Sequence, residues 1–339
     1  MTTTADPLSL GEGDTPLVEL PRLAAEWGVR KLWAKAEWMN PTGSYKDRIA
    51  HATMHAAIDN GTRGWIGTSS GNGGAAMAAY GARAGLPGFL LVSADAPEEK
   101  LRSIVPYGVS VVKMQNMGLA VMDALRAAAE RHRLWLTITA YAYNPAGMRG
   151  TEAIGSEIAA SGDFTHVYVP TGGGGLLVAV HRGLPAAAAQ PRLVCAQPAG
   201  CAPIVRCLNG EIPTPNIDSC TSSISGLQLP APPDGYSALE AVSSSDGWGT
   251  SVTDDEALYV QRELARIEGV FVEPASAVAL ACVRRDLVSS RLPRDSRVVV
   301  VLTGSGLKDL RRPASSLDAI QKFEDLDQID RWIEGRFTV

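Results

Sequence analysis

Residues 166–175 read His-Val-Tyr-Val-Pro-Thr-Gly-Gly-Gly-Gly. Val167, Tyr168 and Val169 suit a strand, and the glycines end it. An apolar stretch follows at 176–180 and predicts a helix. Strand, glycines and helix in succession are the building unit of a parallel sheet, because parallel strands need a crossover between them. Without side chains, the N–H groups of Gly172, Gly173, Gly174 and Gly175 approach an anion closely, and the following helix adds its positive dipole end. This is a phosphate cradle in outline. It is neither a P-loop nor a G-x-G-x-x-G fingerprint. A plain strand-to-helix turn without a ligand has the same composition.

Outward from this stretch the alternation continues on both sides. Strands are predicted at 29–38, 64–68, 88–93, 109–114, 134–139, 192–196 and 297–302. Helices are predicted at 75–84, 97–104, 119–131, 150–160, 254–267 and 274–288. Thr253 and Glu256 form a capping box at the start of the helix over 254–267. The run at 297–302 is continuously apolar, as in a strand buried on both faces. The class is therefore α/β, with mainly parallel sheets flanked by helices. Residues 213–249 are rich in Ser, Pro and Gly and predict a long loop region. An amphipathic stretch near 317–333 predicts a packed terminal helix.

The chain has 339 residues, with 45% hydrophobic and 20% charged. At roughly 100–200 residues per domain, two packed lobes are expected. The composition excludes a mainly disordered chain and the short-repeat collagen and coiled-coil classes. A formal net charge of −5 lacks the basic field that holds nucleic acid. Residues 1–10 show no signal peptide, and no apolar run is long enough to span a membrane, so a cytoplasmic protein is expected. The five cysteines predict reduced thiols. Cys195, Cys201 and Cys207 are spaced too widely for a zinc knuckle.

Three polar or glycine-rich segments fall at predicted strand ends, where open α/β sheets bind ligands: 69–74, 171–175 and 303–306. Lys46 sits in Asn-Pro-Thr-Gly-Ser-Tyr-Lys-Asp-Arg at 40–48, where a turn gives way to a helix. The positive end of that helix favours the neutral amine, which forms Schiff bases with carbonyl compounds. A surface lysine is the plain reading of the same spacing. His51, His55 and Asp59 share one face of that helix. Such a stripe could hold a metal, but the H-E-x-x-H pattern is missing, so a solvated helix face and no metal site are expected.

Taken in order, these segments resemble the fold-type II pyridoxal-phosphate (PLP) enzymes, the tryptophan synthase β family. The resemblance runs from Gly13-Asp14-Thr15-Pro16-Leu17 to Lys308-Asp309. Its closest branch looks like threonine synthase, through residues 40–48, Glu273-Pro274-Ala275-Ser276-Ala277 and Thr303-Gly304-Ser305-Gly306-Leu307-Lys308-Asp309. The four-glycine loop is more like serine and threonine dehydratases. Ala146-Gly147 follows Asn144-Pro145 where threonine synthases tend to place an arginine.

The resemblance implies the following roles. Lys46 would hold PLP as a Schiff base and take the Cα proton. Asn72 would bond the cofactor's phenolic oxygen. Gly172 to Gly175 would bind its phosphate. Thr303, or else Ser305, would face the pyridine nitrogen. Ser69, Ser70, Gly71, Asn72 and Gly73 would receive the substrate carboxylate, and Ser70 is a second proton-transfer candidate. Residues 1–48 with 136–339 would form a large PLP-binding domain, and 49–135 a smaller mobile one. A homodimer acting on a small amino acid is implied.

The chemistry stays open at this point between threonine-synthase-like turnover, serine/threonine dehydration and β-replacement of the cysteine synthase type. All three pass through Schiff base and aminoacrylate-type intermediates. A PLP-binding protein without turnover and a nucleotide-binding protein are the readings outside that class. For a substrate phosphate the nearby cations are Lys308, Arg48 and Arg149. Ser222, Ser223 and Ser225 in the long loop are expected to set the substrate.

Overall fold

The computed structural model describes residues 6–115, 120–185, 190–310 and 326–337. In chain order its strands are β1 (Leu17–Glu19), β2 (Lys31–Lys35), β3 (Gly64–Thr68), β4 (Gly88–Ser93), β5 (Ser110–Met114), β6 (Leu134–Leu136), β7 (His166–Pro170), β8 (Arg192–Pro198), β9 (Trp248–Val252) and β10 (Arg297–Val301). Six form one sheet in the order β1-β2-β10-β7-β8-β9, and four form another in the order β5-β4-β3-β6. All neighbours run parallel except β1 and β2.

The helices that matter for the site are α1 (Lys46–Asp59), α2 (Asn72–Arg83), α3 (Gly175–Gly183), α4 (Gly235–Ser244), α5 (Asp254–Glu268) and α6 (Pro274–Val288). The central strand β10 shows why its sequence is uniformly apolar. Val298 and Val300 pack into one core with Val260 and Leu264 of α5 and Val278 and Leu280 of α6. Val299 and Val301 face the other side, with Leu177 and Val180 of α3 and Ala238 and Val242 of α4. Side chains alternate across a strand, so a sheet covered on both faces needs apolar residues at every position. Each such burial contributes about 1.5–3 kcal/mol.

Helices α1 and α2 cover the four-stranded sheet. Ile49, Ala50 and Met54 of α1 meet Ala75, Met77 and Tyr80 of α2, with Trp65 and Leu90 beneath. Helix α5 opens as expected: Thr253 Oγ1 accepts from Glu256 N at 3.2 Å, and Glu256 Oε2 accepts from Thr253 N at 2.7 Å.

Several elements differ from expectation. The strand predicted at 29–38 is five residues, since the chain turns into a 3₁₀ segment at Glu37–Met39. The helix at 97–104 shrinks to Glu98–Leu101, ahead of a turn that holds Pro106. Residues 213–249 are not all loop, because they contain α4 and the start of β9. The apolar stripe of α4 is only Ala238, Ala241 and Val242, too small among serines to register as periodic. The terminal helix is Leu326–Phe337; residues 317–325 of the predicted stretch lie outside the described residues.

The reduced-thiol expectation is also corrected. Cys201 and Cys220 form a disulfide, while Cys195, Cys207 and Cys282 are free. The two ends meet because Thr221 N donates to Gly200 O at 2.8 Å, a return of the chain that residue spacing does not reveal. No helix among the described residues is long and apolar enough to cross a membrane.

Candidate active site

The carboxyl ends of β3, β6, β7 and β10 open onto one cavity of about 560 Å³, between the two sheets. A volume of this size suits a cofactor with a small substrate. Lys46, Ser69, Ser70, Gly71, Asn72, Gly73, Gly172, Gly173, Gly174, Gly175 and Thr303 all line it. Residues more than 250 positions apart are thus gathered at one place. Ser305 is set apart: it does not line the cavity, and its hydroxyl accepts from Leu307 N at 3.3 Å to cap the turn Gly306–Lys308.

Lys46 is the first residue of α1. Its Nζ donates to Thr139 Oγ1 at 2.9 Å and lies 4.5 Å from the Tyr45 ring centroid. The amine is therefore aimed, with a hydroxyl holding it from the loop that follows β6. Thr139 was not anticipated from the sequence.

The glycine loop forms a cradle that side chains would fill. A Cβ on Gly172 would lie 2.6 Å from Gly226 O, and one on Gly174 would lie 2.7 Å from Asp234 O. Gly174 also has φ +92°, a conformation closed to most L-residues. Helix α3 starts at Gly175, so its unpaired N–H groups face the same space. Asp234 lies alongside, held by Tyr141 N at 2.9 Å and Ala142 N at 3.1 Å. Burial raises its carboxyl above the ordinary value, against the pull of those two donors.

An aimed lysine, a bare cradle at a helix N-terminus and a polar loop opposite together fit pyridoxal phosphate. We expect Gly174→Ala to cost about 1–3 kcal/mol of stability from backbone strain. Cofactor affinity should fall at least about tenfold in an absorbance titration, because the strain lies in the cradle itself. An unchanged affinity would show that these N–H groups do not hold the phosphate.

Residues 8–304 match the family model described as pyridoxal-phosphate dependent enzyme. The chain belongs to this family. Among curated members it is 32% identical over 328 residues to a threonine synthase of Methanosarcina acetivorans, covering 94% of this chain and 80% of the relative. It is 35% identical over 323 residues to a threonine synthase of Halalkalibacterium halodurans, covering 92% and 87%. A processed threonine deaminase isoform 2 from Solanum lycopersicum superposes with a TM-score of 0.75 at 18% identity, over 94% of this chain and 82% of that one. A cysteine synthase from Entamoeba histolytica gives 0.77 at 19%, over 98% and 96%. The fold is therefore fold type II, and the enzyme uses pyridoxal phosphate.

Within this family fold, a further residue of the site carried no expected role. Glu273 lies at the start of α6 and lines the cavity. Its Oε2 accepts from Asn72 Nδ2 at 2.7 Å and its Oε1 from Thr303 Oγ1 at 2.9 Å. Ser276 Oγ lies 2.9 Å from the same threonine hydroxyl. Burial raises the Glu273 carboxyl, against the pull of Thr303 and Asn72. The two groups expected to face the cofactor ring are thus tied to one carboxyl, so their orientations are coupled.

The cations are redistributed as well. Arg48 is buried and pairs with Glu37 and Glu157, so it does not reach the cavity. Arg149 is exposed and does not line it. Lys308 lines it and donates to Thr42 O at 2.6 Å. Burial lowers its ammonium from the ordinary value, opposed by Asp47 and Glu273. Lys100, from the turn Glu98–Leu101, is the cation that sequence reasoning missed. It lines the cavity, donates to Ser225 Oγ at 2.6 Å and lies 3.5 Å from Asp309 Oδ2. Of the three loop serines, Ser225 faces the cavity, whereas Ser222 and Ser223 donate to Asp254.

Proposed function

We propose that this enzyme catalyses threonine-synthase-like chemistry on a small amino acid whose side chain ends in a phosphate. The observation that carries the reading is the pair Lys100 and Lys308 on the cavity wall, two cations beyond Lys46 in a site otherwise lined mainly by neutral groups. The 30–35% identity to threonine synthases supports it.

Pyridoxal phosphate, when bound, supplies the electron sink that makes the substrate Cα–H acidic. Lys46 Nζ would hold the cofactor's carbonyl carbon, and as a free amine it would serve as the base for the substrate Cα proton, with Thr139 orienting it. The N–H groups of Gly172 to Gly175 take the cofactor phosphate. Ser69, Ser70, Gly71, Asn72 and Gly73 take the substrate carboxylate. Thr303, its hydroxyl tied to Glu273 and Ser276, would be the group that meets the cofactor ring, a neutral partner in place of a carboxylate.

In this reading, residues 49–135 are the smaller mobile domain, and 1–48 with 136–339 the cofactor-binding domain. Lys100 belongs to the first and bonds to Ser225 and Asp309 of the second. It is placed to follow closure, which excludes water from the reacting centre. The homodimer and the cytoplasmic location implied by the resemblance belong to the same proposal, and light scattering of the purified chain tests the first.

The deciding experiment is the cofactor absorbance titrated with L-serine and, separately, with O-phospho-L-homoserine. A band that responds only to the phosphorylated amino acid supports the proposal. A response to serine alone overturns it in favour of β-elimination. Lys100→Gln is expected to raise KM for the phosphorylated substrate about 10- to 100-fold, the worth of a charge-assisted hydrogen bond. An equal effect on a neutral substrate would show Lys100 to be a domain latch only.

A further inference from the structure

The face of α1 opposite its packed side carries a cluster that the cofactor site does not use. His51 and His55 are one helical turn apart. Both Nε2 atoms lie 2.8 Å from the same atom, Asp6 Oδ2, contributed by the N-terminal segment. Asp59, on the same helix face in the sequence, is not part of this cluster; the carboxylate comes from 45 residues upstream of His51 instead, and the face read as merely solvated carries a convergent donor set. The three ligand atoms lie within 4.8 Å of one another.

We propose that Asp6, His51 and His55 form a binding site for a divalent transition metal of the zinc class. The donor set is two imidazoles and one carboxylate, with the fourth position left to water, which is how zinc is held at open sites. Imidazoles at i and i+4 project from one face of a helix and converge on one point. Tetrahedral coordination at about 2.0–2.2 Å per ligand sets donors about 3.4 Å apart, so each imidazole nitrogen, now 2.8 Å from Asp6 Oδ2, would draw back by about 0.6 Å to admit the ion.

A second observation points the same way. His51 Nδ1, the ring nitrogen facing away from Asp6, lies 3.2 Å from Glu12 Oε1. A carboxylate behind a ligating imidazole fixes its tautomer and raises its basicity. Glu12 is itself oriented: its other oxygen accepts from Leu10 N at 2.9 Å, Tyr80 Oη at 2.7 Å and Ser9 Oγ at 3.2 Å. The ligand Asp6 is backed by a packed segment, since Leu8 is buried against Ile49 and Met54 and Pro7 O accepts from Arg83 Nε at 2.8 Å. A bound metal therefore pins residues 6–12 to the helix that begins with Lys46.

The test uses tag-free holoenzyme stripped with chelator, then titrated with Zn²⁺ by calorimetry and with Co²⁺ by visible absorbance. The expected result is uptake of one equivalent per chain, ligand-field bands of a nitrogen and oxygen site, and a raised thermal midpoint. His51→Asn/His55→Asn should lose all three. Both histidines are partly exposed, and an unchanged cofactor band confirms that this variant is folded. Glu12→Gln should weaken affinity about 10- to 100-fold while leaving the stoichiometry unchanged. No uptake by the wild type, or equal uptake by the double variant, overturns the proposal and leaves a carboxylate shared by two imidazoles. No substrate enters the readout, so its failure is separate from that of the proposed reaction.

Discussion

Lys46→Ala is expected to lower turnover by about 10³-fold or more, because one side chain performs two tasks. In the proposed mechanism its amine would attach the cofactor, and the same amine would move the Cα proton. The geometry leaves no substitute nearby. Lys100 is held across the cavity by Ser225 and Asp309, and Lys308 by Thr42 O. The neighbouring Thr139 hydroxyl is far too weak a base. The variant should still fold, since Lys46 sits at a helix start and lines a cavity rather than a core. Two measurements check this. Borohydride reduction of the wild type should leave the cofactor mass on the peptide containing Lys46, and the variant should lack the lysine-linked absorbance band. Substantial turnover by Lys46→Ala would remove the mechanism.

Arg48→Ala is expected to destabilise the fold by about 3–5 kcal/mol, the cost of leaving a buried charge unpaired. The guanidinium bonds Glu37 through Nε at 2.9 Å and Nη2 at 2.8 Å, and Glu157 through Nη2 at 2.7 Å. Glu37 is fully buried, and once Arg48 is gone it keeps only Thr15 Oγ1 and Asn40 Nδ2 as side-chain donors. Lysine cannot replace the planar fork, so Arg48→Lys should recover only part of the loss.

The pH dependence has a definite sign. Burial raises the Glu157 carboxyl, but hydrogen bonds from Arg48 and Lys35 outweigh it and hold the group below its ordinary value. A depressed carboxyl stabilises the fold above its unfolded-state value and loses that contribution as pH falls. The wild type should therefore lose stability on acidification more steeply than Arg48→Ala. Urea midpoints measured across the acid range check both statements; a difference under about 1 kcal/mol at neutral pH would show that the network is solvated.

These two residues are neighbours in one motif, yet they point to different places. The motif at 40–48 was legible as a turn opening a helix, and Lys46 follows from it. That Arg48 turns under the helix, away from any substrate, depends on Glu37 and Glu157 being there to meet it. Glu273 belongs to a recognisable segment, but its role comes from Asn72 and Thr303 on its two oxygens, 201 and 30 residues away. Lys100 had no motif at all. It matters because the turn Glu98–Leu101 comes to rest against Ser225 and Asp309, more than 120 residues away. The disulfide Cys201–Cys220 escaped for the same reason.

From the sequence alone came the alternation of strands and helices, the apolar run of β10, the capping box of α5 and the three loops at strand ends. Each rests on local physics: side-chain periodicity, backbone freedom at glycine, or hydrogen bonds a few residues apart. Tertiary structure alone decided which charges face the cavity and which are paired beneath it. It also decided that Lys100 meets Ser225 and Asp309 and that Asp6 meets two histidines of α1. A charge or a hydroxyl takes its role from the partners within a few ångströms, and in this chain those partners lie tens to hundreds of residues away.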